Sequence, residues 1–165
     1  MKTLILVRHA KSSWKNTDLT DRERPLNDRG KRDAPFMGKL LRERGEKPDV
    51  IISSPATRAT TTARFIAREV KYHTSDIINS EPLYAGTMDD VLDVIHRIEN
   101  SFTTAMIVSH NPAITLCSSL VTGSNIENMP TCGIVCVDFS LTEWKDVRRG
   151  NGKLRYLEYP KKYFK

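Results

Sequence analysis

The chain has 165 residues, 39% of them hydrophobic and 28% charged, with a formal net charge of +6. That length suits one domain over residues 1–165 with a proper core. The apolar runs are strand-sized, so no membrane span is expected, and the short apolar start ending at Arg8-His9 does not read as an export leader. The positive charge favours anionic partners in general, but Arg42/Arg44, Arg148/Arg149 and Lys161/Lys162/Lys165 are scattered and lack interleaved aromatics. They read as a solvated face, and no nucleic-acid partner is expected.

In chain order, Leu4-Ile5-Leu6-Val7 predicts a short buried strand that delivers Arg8 and His9 at its carboxyl end, where α/β folds build sites. The polar stretch Lys11 to Pro25 is too irregular for helix or strand and is expected to form part of the site rim. Asn27 is a helix cap for a segment through Gly45, with Ala34, Met37, Leu40 and Leu41 at helical spacing. Pro35 is expected to kink that helix or to mark a late start.

A second strand, Asp49 to Ser53, runs into Ser54 as a cap and Pro55 as first helical residue. The helix that follows carries Ala59, Ala63, Ile66, Ala67 and Val70 as its core stripe, with Arg58 in its first turn near the positive helix pole. A third helix starts at Thr87 with Asp90 as capping-box partner and buries Val91, Leu92, Ile95 and Ile98. Ala105-Met106-Ile107-Val108 predicts a strand leading to His110, then a helix capped by Asn111 with Pro112 first. Ile134 to Phe139 and Lys153 to Tyr159 predict an edge hairpin joined by the polar stretch Asp146 to Gly152. Strands alternating with helices, then a hairpin, give an α/β fold: a three-layer α/β/α sandwich on a mainly parallel, mixed sheet. Cys117, Cys132 and Cys136, odd in number and in apolar surroundings, predict buried thiols in a reducing cytoplasm.

Two histidines and two arginines arrive at strand ends, which describes a pocket for a phosphoryl group. A neutral imidazole is a competent nucleophile toward phosphorus, and the phosphohistidine it forms is labile enough to hydrolyse. His9 suits that role, Arg8 and Arg58 supply fixed charges and bidentate donors, and His110 donates to another phosphoryl oxygen. No cofactor is required, and no His or carboxylate pair shows metal-ligand spacing. His73 and His96 lack comparable context and read as structural or exposed.

The motifs Leu6-Val7-Arg8-His9-Ala10, Ser53-Ser54-Pro55-Ala56-Thr57-Arg58-Ala59-x-x-Thr62-Ala63 and Val108-Ser109-His110-Asn111-Pro112 resemble, in order, the signatures of the histidine phosphatase superfamily, to which phosphoglycerate mutases also belong. The short length and Arg24-Pro25-Leu26-Asn27-Asp28-Arg29-Gly30 resemble its SixA-type phosphohistidine phosphatase branch. The resemblance implies a phosphoglycerate mutase-like fold and a phosphatase with His9 as nucleophile, Arg8, Arg58 and His110 holding the phosphoryl group. Ala10 departs from the glycine usual after the nucleophile, and Ser12 and Asn16 stay unassigned as ligands.

Two carboxyls are candidates for the general acid and base: Asp21, matching a SixA-type aspartate in the resemblance, and Glu81, where mutase-like members place their acid. The expected reaction is metal-independent hydrolysis of phosphohistidine on a signalling or phosphotransfer protein, releasing inorganic phosphate, by a cytoplasmic monomer. A small-molecule phosphomonoesterase and a non-catalytic phosphate-binding module are the alternatives. Short connections between core elements, with no lid-sized insertion over His9, favour a protein substrate.

Overall fold

The computed structural model describes residues 1–164. Six strands form one sheet: β1 (Lys2–Arg8), β2 (Val50–Ser53), β3 (Ile78–Asn79), β4 (Thr104–Ser109), β5 (Ile134–Phe139) and β6 (Gly152–Glu158), in the order β3-β2-β4-β1-β5-β6. The first four are mutually parallel, whereas β5 and β6 form the antiparallel hairpin at one edge. Helices α1 (Asp28–Glu43), α2 (Thr57–Glu69), α3 (Met88–His96) and α4 (Ala113–Thr122) connect the strands.

Side-chain alternation along the strands explains the three layers. On β1, Ile5 and Val7 face α1 and α2 with Ile51 and Met106, and there they meet Ala34, Met37, Ala59, Ala63 and Ile66. Leu4 and Leu6 face the opposite way with Ile52 and Ile107, against Val91, Ile95, Ile114 and Cys117 of α3 and α4. A strand buried on both faces must be apolar throughout, so β1 reads as a continuous hydrophobic run. The chain winds outward from β1 through β2 to β3 with α1 and α2 on one face. It then returns through β4 to β5 with α3 and α4 on the other. Such a reversal opens a crevice at the carboxyl ends of the central strands.

Several element boundaries differ from expectation, each for a local reason. Strand β2 starts at Val50, because Asp49 is committed beside it: its carboxylate accepts from the Thr103 and Thr104 amides. Helix α1 begins at Asp28 and continues through Pro35, so the expected late start does not occur. Asn27 accepts from the Gly30 amide at 2.9 Å, and burial of Ala34, Met37 and Leu41 on the same helix offsets the one hydrogen bond that proline forgoes. Helix α2 starts at Thr57 with Ala56 as cap, two residues after the expected Ser54-Pro55 start. The Ser54 hydroxyl is committed elsewhere, to His110. Helix α4 starts at Ala113 with Pro112 at the cap, since the Asn111 amide bonds Thr115, Asn128 and the Met129 carbonyl instead of capping.

The connection between β5 and β6 holds more than a polar turn: it buries Trp144 completely, with its indole N–H on the Phe102 carbonyl at 2.9 Å. All three cysteines are buried free thiols, and burial pushes Cys136 up to about 11 and Cys117 up to about 12. No described helix is long and apolar enough to cross a membrane.

Candidate active site

His9 sits one residue past β1, and its backbone is clamped from both sides. Its amide donates to the Ser109 carbonyl at 3.0 Å, and its carbonyl accepts from the Cys132 amide at 3.0 Å. The ring is fixed as well, because Nδ1 lies 2.7 Å from the Ala10 carbonyl. A carbonyl only accepts, so Nδ1 carries the proton in neutral imidazole and Nε2 keeps its lone pair. Burial lowers the His9 pKa to about 3, and the charges of His110, Arg58 and Arg8 push the same way against the Ala10 bond. Near neutral pH the imidazole is therefore unprotonated and nucleophilic.

Ala10 is itself a positioning element. Its amide donates to Thr62 Oγ1 at 3.0 Å, and that hydroxyl donates to the Arg58 carbonyl at 2.7 Å, which ties the residue after His9 to the first turns of α2. Ala10 is not among the described non-glycine residues with positive φ, so the methyl that replaces the usual hydrogen is accommodated in the core without that strain. In the first turn of α1, Gly30 does need to be glycine: a Cβ there would lie 2.2 Å from the Lys11 carbonyl, where the start of α1 presses on the loop leaving His9.

His110 follows β4, adjacent to β1, which brings its ring to 5.0 Å from that of His9. Its Nε2 is 2.7 Å from Ser54 Oγ, and that oxygen also accepts from the Ala56 amide at 3.3 Å. The hydroxyl can donate to or accept from that nitrogen, and either way the contact fixes the His110 ring. Burial, then the charge of Arg58, lowers the His110 pKa to about 4.

Three arginines complete the walls. Arg8 ends β1 and donates through Nη1 to the Met129 carbonyl at 2.9 Å. Arg58, in the first turn of α2, grips Asp21 twice, through Nη1 to its carbonyl at 2.7 Å and Nη2 to its carboxylate at 3.1 Å. Arg24 approaches the other carboxylate oxygen of Asp21 at 3.3 Å and stacks under the Trp14 ring, 3.4 Å from its centroid. Arg8 Nε, Arg24 Nη1 and Arg58 Nε are buried without a protein partner. All three side chains line one pocket, and three guanidinium charges there fit an oxyanion. The pocket holds about 310 Å³.

Of the sequence-predicted site residues, His9, Arg8, Arg58, His110 and Asp21 come together around this pocket. Glu81 does not. Its carboxylate pairs with Arg22 on the exposed surface, with Arg22 Nη2 to Glu81 Oε2 at 2.8 Å. Burial raises the Asp21 pKa, but hydrogen bonds from Tyr84 and Arg58, with the charges of Arg58 and Arg24, bring it below the usual carboxylate value. His96 is structural, with Nε2 on the Val147 carbonyl at 2.7 Å. Sequence reasoning missed Ser54 as a histidine partner, Arg24 and Trp14 as pocket lining, and Tyr84, whose hydroxyl donates to Asp21 at 2.8 Å. Arg24 and Ser54 lay within motifs already singled out, whereas nothing in sequence marks a lone loop tyrosine. Among the described residues no three His, Cys, Asp or Glu side chains gather into a metal-binding group.

The profile of the histidine phosphatase superfamily (branch 1) matches residues 4–83, which hold Arg8, His9 and Arg58. An uncharacterised protein of Mycobacterium tuberculosis is 31% identical over 94% of this chain and 100% of its own length. The chain belongs to the histidine phosphatase superfamily. As a histidine phosphatase its fold matches the crystal structure of SixA from Agrobacterium tumefaciens, with a TM-score of 0.83 and 24% identity over 96% of this chain and 98% of that one. It also matches a structure of the protein histidine phosphatase SixA complexed with tungstate, with a TM-score of 0.83 and 18% identity over 97% and 98% of the two chains. The expected phosphoglycerate mutase-like, mixed-sheet α/β architecture is thus the one observed.

Proposed function

We propose that this histidine phosphatase hydrolyses phosphohistidine on a protein through a covalent phosphohistidine at His9. The observation that carries the mechanism is the His9 ring, whose Nδ1 is tied to the Ala10 carbonyl so that Nε2 is the free lone pair in a pocket of unpaired guanidinium donors. In the first step Nε2 attacks phosphorus. The new N–P bond forms as the bond to the substrate imidazole breaks, and that imidazole, already protonated on its distal nitrogen, leaves as a neutral ring with the electron pair on the released nitrogen. Arg8, Arg58 and His110 take the charge on the equatorial oxygens in flight. In the second step water attacks the phosphorus, inorganic phosphate forms, and the electron pair returns to His9 Nε2.

Asp21 is the carboxyl best disposed to manage the protons. An arriving dianion competes with it for Arg58 and adds negative charge beside it, and both effects raise its pKa toward that of a general acid. Glu81, exposed and held by Arg22, has no comparable access. The name of the structural neighbour, a protein histidine phosphatase, supports phosphohistidine as the substrate class, and an ionised Asp21 suits a nitrogen leaving group, which departs with little acid catalysis.

The test is a comparison of specificity constants on a phosphohistidine-bearing domain and on a panel of sugar, nucleotide and alkyl phosphates. Preference for the phosphoprotein is expected, and a tenfold or greater preference for a small ester overturns the substrate assignment. Acid quench after brief incubation with labelled substrate is expected to trap an acid-labile, alkali-stable adduct on His9. Label on serine or cysteine overturns the nucleophile.

A further inference from the structure

Trp14 combines two features found together nowhere else among the described aromatic residues: it lines the catalytic pocket and it is 70% exposed. An exposed indole has to be held to be useful, and this one is. One face rests on the Arg24 guanidinium at 3.4 Å from the ring centroid, while Arg24 is only 7% exposed and is anchored by Asp21. Planar stacking of a guanidinium on an indole restricts both groups. The other wall aromatic, Tyr84, is differently employed, since its hydroxyl is bound to Asp21 and its ring stands edge-on to His110 at 77°.

In-line displacement decides what the free indole face meets. His9 is 8% exposed, at the pocket floor, and the leaving atom must lie on the far side of phosphorus from the attacking nitrogen. The leaving group therefore points away from buried His9 toward the exposed part of the pocket lining, to which Trp14 belongs.

We propose that Trp14, braced by Arg24, is a specificity-determining platform on which a planar leaving group stacks, favouring imidazole and aryl leaving groups over alkyl ones. For imidazole this rests on the function proposed above, but the stacking itself applies to any planar leaving ring. A ring held there is oriented for in-line departure, and alanine replacement of such stacking aromatics in other single-ring recognition sites weakens binding by about tenfold or more.

The experiment measures kcat/KM for phosphoimidazole, phenyl phosphate and ethyl phosphate with the wild type, Trp14→Ala and Trp14→Phe. Intrinsic leaving-group reactivity is the same for every variant, so each substrate's variant-to-wild-type ratio isolates the side chain. Trp14→Ala is expected to lower the phenyl-to-ethyl and imidazole-to-ethyl ratios by about tenfold, and Trp14→Phe to restore most of the loss. An equal fall on all three substrates overturns the proposal, because Trp14 then only props Arg24, and so does an unchanged ratio. Should the wild type fail on phosphoimidazole while Trp14→Ala still lowers the phenyl-to-ethyl ratio, the phosphohistidine reading falls and the platform stands. Should phosphoimidazole be preferred with ratios insensitive to Trp14, the platform falls alone.

Discussion

Two cavities of similar size flank the sheet, and only one has the makings of a reaction centre. The one between α3 and the outer strands holds about 410 Å³ and is walled largely by Val50, Ile52, Ile78, Val94, Ile98 and Phe102. The one at the carboxyl ends of β1, β2 and β4 holds about 310 Å³. Room does not distinguish them, but polar satisfaction does. The smaller cavity is lined by three arginines, each with a buried guanidinium nitrogen without a protein partner, and by two histidines held neutral by burial, whereas no residue with such an unpartnered atom lines the larger. Three such arginines around one cavity mark it as built for an anion.

The strongest way to break that contrast is to substitute one residue in each cavity. His9→Ala is expected to cost roughly four orders of magnitude or more in kcat/KM, the scale of nucleophile removal. Asp93→Ala, in the larger cavity, is expected to leave the rate within about twofold. Comparable losses from both would mean that fold integrity, not a nucleophile, is being measured, and melting curves on the same samples separate the two.

The next comparison is between two arginines. Arg58→Ala is expected to lower kcat/KM by about 10²- to 10³-fold, as removal of one preorganised donor does, and Arg97→Ala, on the other cavity, by less than about twofold. Arg58→Lys keeps the charge but loses the planar fork, so it is expected to recover only part of the activity. Full recovery would show that charge alone binds the phosphoryl group.

A carboxylate comparison sharpens the proton assignment. Asp21→Asn is expected to slow an alkyl phosphate by roughly 10²-fold, at the low end of general acid contributions, and nitrophenyl phosphate far less. Equal effects on both leaving groups would make Asp21 a brace for Arg58 and Tyr84 and leave alkyl esters outside the enzyme's range.

What the sequence disclosed about this site followed from strand ends. Arg8, His9 and His110 adjoin short apolar runs whose period-2 burial on two faces forces them into the sheet interior, so the residues just beyond must emerge together at one edge. Arg58 was legible by the same logic, one corner later. Contacts that depend on how loops fold back were not legible. Asp21 and Glu81 both looked like loop carboxylates near a motif, and only the 3₁₀ turn over Asp21–Glu23 decides that Asp21 turns toward Arg58 while Arg22, its neighbour, takes Glu81 outward. The helix starts at Ser54 and Asn111 were misjudged for a related reason: a polar side chain at a strand-to-helix corner is a cap unless the site claims it, and His110 and Thr115 claim these two.

Burial of the two histidines also predicts a pH-dependent stability. Their folded pKa values, about 3 and about 4, lie below the ordinary value of 6.5, so between these limits the unfolded chain binds more protons than the folded one. Stability is then complete above pH 6.5 and falls as the pH drops through that value. Between pH 7 and 5, above the range where most carboxylates titrate, each histidine is expected to cost about 1–2 kcal/mol. Thermal or urea unfolding at these two pH values checks this, with His110→Asn expected to flatten the dependence. Saturating vanadate, which pairs with the same cationic pocket, is expected to reduce it too, because a bound anion favours protonated imidazole. An unchanged slope in His110→Asn would mean that the ring is not neutral in the folded state.

The smallest expected effect belongs to Glu81, and it is informative because it is small. Its partner Arg22 and Glu81 itself are both well exposed, with side-chain accessibilities of 43% and 65%. Solvent and salt screen exposed pairs, so such a pair contributes little to stability. Glu81→Gln is therefore expected to leave stability nearly unchanged and to change kcat/KM by less than about twofold on aryl and alkyl phosphates alike. The alkyl substrate is the decisive one, because only an alkoxide leaving group needs the proton a general acid supplies. A loss confined to alkyl phosphates would mean that Arg22 releases Glu81 into the pocket once substrate is bound, and would transfer the acid's role from Asp21 to Glu81. A loss in Glu81→Gln that Arg22→Ala reproduces on every substrate would instead show the pair acting as a brace for the Asp21–Glu23 turn.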